Sequence, residues 1–144
     1  MIHPGWELLA VTMQMSRCGF PILLVLAFAL PAAAELSPEV YRGMQKAASE
    51  YLEIEIVSVT TSKGSTAITV SARAKIVGIH RTASELKIGQ EIQIEYAHDT
   101  RKMIGPRPIP VVKKGGKHPA FLSKNHRNPY YEPAARGFSF EVVR

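Results

Sequence analysis

The chain has 144 residues, a net charge of +6 at neutral pH and a single cysteine, Cys18. One cysteine excludes an intramolecular disulfide framework and a zinc site built from several thiolates. The length suffices for one domain with a modest core, so packing and backbone hydrogen bonds must hold the fold.

The first 34 residues have the pattern of a secretory signal peptide. A charged start precedes an apolar run over residues 20–30, and small residues follow up to Ala34. The run is shorter than the roughly 20 residues of a membrane-spanning helix. We therefore expect cleavage after Ala34 and a periplasmic or secreted location in a bacterial envelope. Met13 or Met15 is an alternative start, and retention as an N-terminal anchor is the alternative to cleavage.

A helix is predicted over about residues 38–49, within an N-terminal segment assigned to residues 35–50. Ser37 is a good N-cap, Pro38 suits the first helical position, and Glu39 is favourable in the first turn. An apolar stripe at helical spacing is expected to pack the helix on a sheet. The stripe consists of Val40, Met44, Ala47, Ala48 and Tyr51.

Three alternating strands begin the domain assigned to residues 51–144, with a turn predicted at residues 60–65. Gly78 interrupts the alternation of the second strand, which predicts a bulge or a sharp bend. The residues expected to face inward are Leu52, Ile54 and Ile56, then Ile68, Val70, Ala72, Ala74 and Ile76, then Ile92, Ile94 and Tyr96.

The last third of the chain is interrupted by prolines and glycines. Three prolines predict an extended stretch over residues 108–112. A short strand is predicted at residues 120–122 and a loop at residues 125–137. The alternation of aromatic and apolar residues over 138–142 predicts a closing strand.

These elements predict a mainly β fold, a small five-stranded, partly open antiparallel barrel of the OB type with one N-terminal helix. A two-sheet sandwich is the alternative. The helix that usually lies between the third and fourth strands of an OB barrel is replaced here by the proline-rich passage.

Two stretches resemble netrin-like modules, the OB barrels of tissue metalloproteinase inhibitors and complement tails. The family has a bent strand, similar to residues 72–80 here. It is followed by a lysine-x-glycine-polar motif and a strand that ends in an aromatic residue, similar to residues 86–96. The family's turn–glycine–strand segment resembles residues 110–122. The resemblance covers about residues 52–123 and implies a barrel with a binding role. The family's cysteines are absent and Glu35 would stand at the N-terminus, so zinc chelation by an N-terminal cysteine is not carried over.

Charge is concentrated in one segment. Residues 100–131 hold eight Lys or Arg and no Asp or Glu, whereas residues 35–99 hold seven Lys or Arg and nine Asp or Glu. Such a block attracts anions over about 8 Å at physiological salt. The segment is either a solvated loop or a binding surface.

Aromatic residues and further cations follow in the predicted loop. Guanidinium groups donate forked hydrogen bonds to phosphate, sulfate or carboxylate, and tyrosine rings stack on bases or sugars. The alternative is that the two tyrosines close the barrel. The candidate ligand-binding residues are Arg101, Lys102, Arg107, Lys113, Lys114, Lys117, Lys124, Arg127, Tyr130, Tyr131 and Arg136.

No catalytic signature suggests an enzyme, and no cofactor or metal site is expected. There is no G-x-S-x-G elbow, and no histidines stand at H-x-x-x-H or H-x-H spacing. An enzyme would need a pocket assembled around His98 and Asp99.

The sequence therefore predicts an exported, non-enzymatic binding module whose basic segment binds an anionic envelope glycan, a lipid phosphate or a protein partner. The first alternative is a structural or assembly subunit of an envelope complex, in which residues 109–112 offer an edge for strand pairing. The second is a nucleic-acid-binding OB protein, which requires that the leader is not a signal peptide and is otherwise disfavoured.

Overall fold

A computed structural model describes residues 35–101 and 104–144. The predicted leader at residues 1–34 and the candidate Lys102 lie outside the described residues. No helix in the described part of the chain has the length and apolarity that crossing a membrane requires. The elements are α1 (Pro38–Ala47), β1 (Glu50–Lys63), β2 (Ala67–Thr82), β3 (Glu91–Asp99), β4 (Lys117–Lys124), β5 (Tyr131–Pro133) and a 3-10 helix (Arg136–Phe138).

The five strands form one closed barrel in the order β1-β2-β3-β5-β4. Glu50 of β1 pairs with Thr82 of β2 on one side and with Leu122 of β4 on the other. β3 and β5 run parallel and pair at Ile94 and Tyr131. The predicted small barrel with an N-terminal helix is confirmed, and the sandwich is excluded. The barrel differs from the prediction in being closed and in containing one parallel pair.

The core follows the predicted alternation along the first three strands. Leu52, Ile54, Val70 and Ile94 are completely buried, and β4 adds Leu122 to the same cluster. Because side chains alternate across a strand, the intervening residues face outward. The barrel interior is therefore filled with aliphatic side chains.

The predicted irregularity at Gly78 is a β-bulge. Glu53 pairs with Gly78 and Ile54 pairs with Ile76, so Val77 is the extra residue. A Cβ atom on Gly78 would lie 3.1 Å from Cβ of Glu53, so any other residue would crowd the neighbouring strand. The bulge bends β2 and helps a small sheet to close on itself.

Helix α1 buries a face that overlaps the predicted stripe in part, since Met44, Ala48 and Tyr51 pack against the barrel as predicted. Val40 and Ala47 are exposed, whereas Tyr41 and Gln45 are buried. The stripe was partly misplaced because a polar residue, Gln45, occupies a buried position. It does so because its side-chain amide is hydrogen-bonded to backbone groups of the C-terminal residues.

The end of α1 lies on the outside of the barrel. Ala48 packs with Phe121 and Ala135 in a small second cluster. The guanidinium group of Arg81 donates hydrogen bonds of 2.8 Å to the carbonyl oxygens of Gln45 and Ala48, and so satisfies free carbonyls at the helix C-terminus.

The predicted closing strand at residues 138–142 is wrong. The fifth strand is Tyr131–Pro133, which lies in the predicted loop. The Nε2 group of Gln45 donates to the carbonyl oxygens of Phe138 and Glu141, at 2.8 Å and 2.7 Å. These two carbonyls bond to a helix side chain. The stretch has one backbone hydrogen bond to β4, from the amide of Phe121 to the carbonyl of Ser139 (2.8 Å), and forms no strand.

Candidate functional site

Residues 106–112, which we term the crossing segment, lie along the end of β3 without joining the sheet. The hydroxyl of Tyr96 donates to the carbonyl of Pro110 (2.8 Å) and accepts from the amide of Val112 (3.2 Å). Nδ1 of His98 donates to the carbonyl of Ile109 (2.7 Å). Burial raises the pKa of Tyr96, so its hydroxyl keeps its proton for this contact. The predicted edge at residues 109–112 is therefore bonded to side chains and pairs with no strand among the described residues.

Residues 134–144, which we term the C-terminal segment, pack against both α1 and the crossing segment. The amide of Gly137 donates to the carbonyl of Arg107 (3.1 Å). The ring of Phe138 lies 4.5 Å from the ring of Tyr41, and the guanidinium carbon of Arg107 lies 4.9 Å from the centre of the Phe138 ring. This cation–π contact places a charged group on an apolar wall.

Helix α1, the crossing segment and the C-terminal segment border an open cavity of about 810 Å³, which we term the main groove. Its volume lies within the range of about 300–1,000 Å³ that is usual for ligand pockets. Its apolar lining is Leu36, Pro38, Tyr41, Pro119, Phe138, Phe140, Val142 and Val143, and its charged lining is Glu35, Arg107, Glu141 and Arg144.

A second cavity of about 420 Å³ adjoins the main groove and shares Arg107, Phe140 and Glu141 with it. Its walls also include Lys113 and His118. The two cavities therefore share a boundary at Arg107, Phe140 and Glu141, which we term the junction.

A third cavity, of about 280 Å³, brings together three of the predicted site residues. Arg101, Arg107 and Arg136 all line it, together with one acidic residue, Asp99. We term it the arginine cavity. Arg136 follows Arg101 by 35 positions, so the fold and not the local sequence creates this concentration of cations.

Two of the three arginines are paired with acids. Nη2 of Arg101 lies 2.7 Å from Oδ2 of Asp99, and these hydrogen bonds lower the pKa of Asp99 to about 2. Nη1 of Arg107 is paired with Glu141. Arg136 is exposed, and it forms no ion pair with any residue in the described ranges. Its guanidinium group is the open cation of the cavity.

The remaining predicted cations form two groups rather than one patch. Lys113, Lys114 and Lys117 lie at the start of β4, where Nζ of Lys117 is 3.8 Å from a carboxylate oxygen of Glu55. Lys124 ends the same strand, seven residues on, which is about 23 Å at about 3.3 Å per residue. This distance exceeds the screening length of about 8 Å, so the two groups act on a ligand separately.

Arg127 and Tyr130 lie in the exposed loop between β4 and β5, as predicted. The hydroxyl of Tyr130 accepts a hydrogen bond from the side-chain amide of Asn128 (2.7 Å). Tyr131 is only 5 % exposed and packs in the barrel core. The structure places it as the alternative interpretation expected, closing the barrel, because strand alternation turns its ring inward where β5 meets β3.

The outer face of β2 and β3 is a self-bonded polar surface. Nε2 of Gln93 donates to Oε1 of Glu95 (2.6 Å) and to Oγ of Ser71 (3.3 Å), while Nε of Arg73 donates to Oγ of Ser58 (3.2 Å). Binding of single-stranded nucleic acid usually needs aromatic rings on such a face. The outward residues of both strands include one aromatic ring within the described ranges, His80, which is stacked on Tyr51 (4.2 Å) and paired with Glu53, so this face gives little support to the nucleic-acid alternative.

The residues considered for catalysis are engaged elsewhere. His98 is bonded to the crossing segment and Asp99 to Arg101. Ser84 and Lys87 stand at the S-x-x-K spacing of some acyl-transfer enzymes, but the hydroxyl of Ser84 donates to buried Glu50 (2.7 Å). No group of three His, Cys, Asp or Glu residues suited to a metal ion occurs within residues 35–101 and 104–144.

The sequence prediction missed the apolar half of the site. Phe138, Phe140 and Val142 were assigned to a strand, and Tyr41 was left out of the helix stripe. The available signal was the cluster of aromatic residues near the end of a small domain, since such residues contribute strongly to binding surfaces.

No family model matches the chain, and no curated protein and no solved structure is similar to it.

Proposed function

We propose that the chain is an exported, non-enzymatic binding module that holds an anionic ligand at the end of the barrel where the arginine cavity lies. The observation that supports this proposal most is the convergence of Arg101, Arg107 and Arg136 on one cavity of about 280 Å³. Export rests on the leader pattern of residues 1–34.

The charge balance of the cavity favours an anion. Three guanidinium groups and one carboxylate line it; Arg101 is paired with Asp99 and Arg107 with Glu141, so Arg136 carries the uncompensated positive charge. Guanidinium groups form forked, charge-assisted hydrogen bonds with phosphate, sulfate and carboxylate groups. Arg136 has the guanidinium group that is free to form them.

An assembly role in an envelope complex is a second candidate. The observation in its favour is the apolar lining of the main groove, which continues to the exposed side chain of Val142. A partner protein would cover this surface, and the complex would survive salt concentrations that displace an anion.

The test is retention of the full chain on immobilised heparin in a rising salt gradient. The variant R101Q/R136N removes two cations from the arginine cavity; asparagine is chosen at position 136 because its φ is +48°. The control K124Q/R127N also removes two cations, one at the end of β4 and one in the loop that follows it; neither lines the arginine cavity. We expect R101Q/R136N to elute at clearly lower salt than the control. Elution of both variants at the same salt would refute a site at the arginine cavity.

A further inference from the structure

We infer that the ligand is an amphiphile, an anionic lipid whose acyl chain lies in the main groove and whose phosphate or carboxylate head contacts Arg107, the arginine that the groove shares with the arginine cavity. This inference rests on the proposed function, and it adds the chemical class of the ligand. It comes from the position of Arg107, which lines the main groove, the second cavity and the arginine cavity.

The main groove suits a chain of methylene groups. Eight of its twelve lining residues are apolar, and the rings of Phe138 and Phe140 form part of its wall. Val142, on the groove, is 51 % exposed. Covering such side chains with an acyl chain removes apolar surface from water, at about 25 cal/mol per Å².

Both acidic residues of the groove accept hydrogen bonds within the protein, and of the two Glu141 is paired with a cation. Glu35 accepts hydrogen bonds from the hydroxyl of Tyr41 and from the amide of Arg107. Glu141 is paired with Nη1 of Arg107. Because a guanidinium group has five donors, Arg107 keeps others for a ligand.

The head group therefore has a defined place. Arg107 lies over Phe138 on the apolar wall, Lys113 lines the adjoining second cavity, and Arg136 is exposed on the arginine cavity. A chain placed over Phe140 brings its charged end to Arg107, which lines all three cavities, while Lys113 and Arg136 each share one further cavity with Arg107. A sugar polymer or a free anion would leave the apolar wall uncovered, so the charge and the apolar surface together favour a lipid.

The test compares two probes that share one head, dodecyl phosphate and butyl phosphate, by titration calorimetry with the full chain below the micelle concentration. If the longer chain occupies the groove, we expect dodecyl phosphate to bind at least about tenfold more tightly, a factor that burial of about two of its eight additional methylenes already gives. Equal affinities would overturn the inference but leave the anion site intact. If neither probe binds, both this inference and the proposed function are overturned.

Variants locate the chain and the head separately. V142D places a charge in the groove and should remove most of the chain-length dependence. V77D is the matched control, because Val77 is also exposed (40 %) but lies on the β2 bulge outside the groove. R136N should weaken the binding of both probes by a similar factor. Unchanged binding by V142D would refute the groove as the chain site. If the protein forms a dimer that V142D dissociates, and the two probes bind with equal affinity, the groove is assigned to a second copy of the chain.

Discussion

One glycine determines how closely the C-terminal segment approaches the crossing segment. A Cβ atom on Gly137 would lie 2.6 Å from Cγ of Arg107 and 2.7 Å from its carbonyl oxygen. The carbonyl cannot move away like the end of a flexible side chain, because it accepts the amide of Gly137. The position of Arg107 at the junction of the cavities therefore depends on a residue without a side chain.

We expect G137A to lower the free energy of unfolding by about 1–3 kcal/mol, because the added methyl group overpacks this contact. Urea unfolding followed by circular dichroism measures the change. The control G43A lies inside α1, where a Cβ atom meets nothing within 4 Å. Alanine should stabilise the helix there by about 0.5–1 kcal/mol. Equal stability of G137A and the wild type would contradict the close contact.

At the scale of elements, one side chain makes three of the hydrogen bonds that attach α1 to the C-terminal segment. Gln45 is buried, donates to the carbonyls of Phe138 and Glu141, and accepts from the amide of Val143 (3.4 Å). A single amide group therefore joins the helix to three points on the chain that forms one wall of the main groove.

Q45L keeps a similar volume but removes these hydrogen bonds. We expect the free energy of unfolding to fall by about 2–3 kcal/mol, because each lost bond contributes about 1 kcal/mol and leaves a backbone group without its partner. Hydrogen exchange at the amide of Val143 should become faster than in the wild type. K46L, at the exposed neighbouring position, should change neither quantity appreciably. Slow exchange at Val143 in Q45L would show that other contacts hold the C-terminal segment.

At the scale of the whole molecule, a strand of three residues closes the barrel. β5 pairs with β4 at three positions and with β3 at Ile94 and Tyr131. Tyr131 also fills part of the core. Closure therefore depends on the side chain of Tyr131 more than on a long ladder of backbone hydrogen bonds.

Y131A should lower the free energy of unfolding by about 3–5 kcal/mol, the usual effect of truncating a large buried aromatic residue. Y130A is the matched control, because the adjacent tyrosine lies at the surface with its hydroxyl bonded to Asn128. It should change stability by less than about 1 kcal/mol. Both values come from chemical unfolding at one pH. Similar losses in the two variants would mean that Tyr131 does not close the barrel.

The sequence predicted the parts of the fold that repeat locally. Alternation identified the inward side of β1 to β3, and Gly78 marked the bulge. β5 was missed because a three-residue strand is too short to show alternation, and residues 138–142 were misassigned because no local signal reveals that Gln45 bonds to their carbonyls. The sequence predicted the cations of the arginine cavity, but not that Arg101, Arg107 and Arg136 line the same cavity. Only the closed barrel brings Arg136 beside Arg101.

Glu35 and Arg144 line the same groove. A purification tag or a fluorescent protein fused at either position would begin at the rim of the cavity and compete with whatever enters it. A label inserted at the turn of residues 64–66, which is exposed and does not line the groove, avoids this interference. Binding measured with a tag placed directly before Glu35 or directly after Arg144 would understate the true affinity.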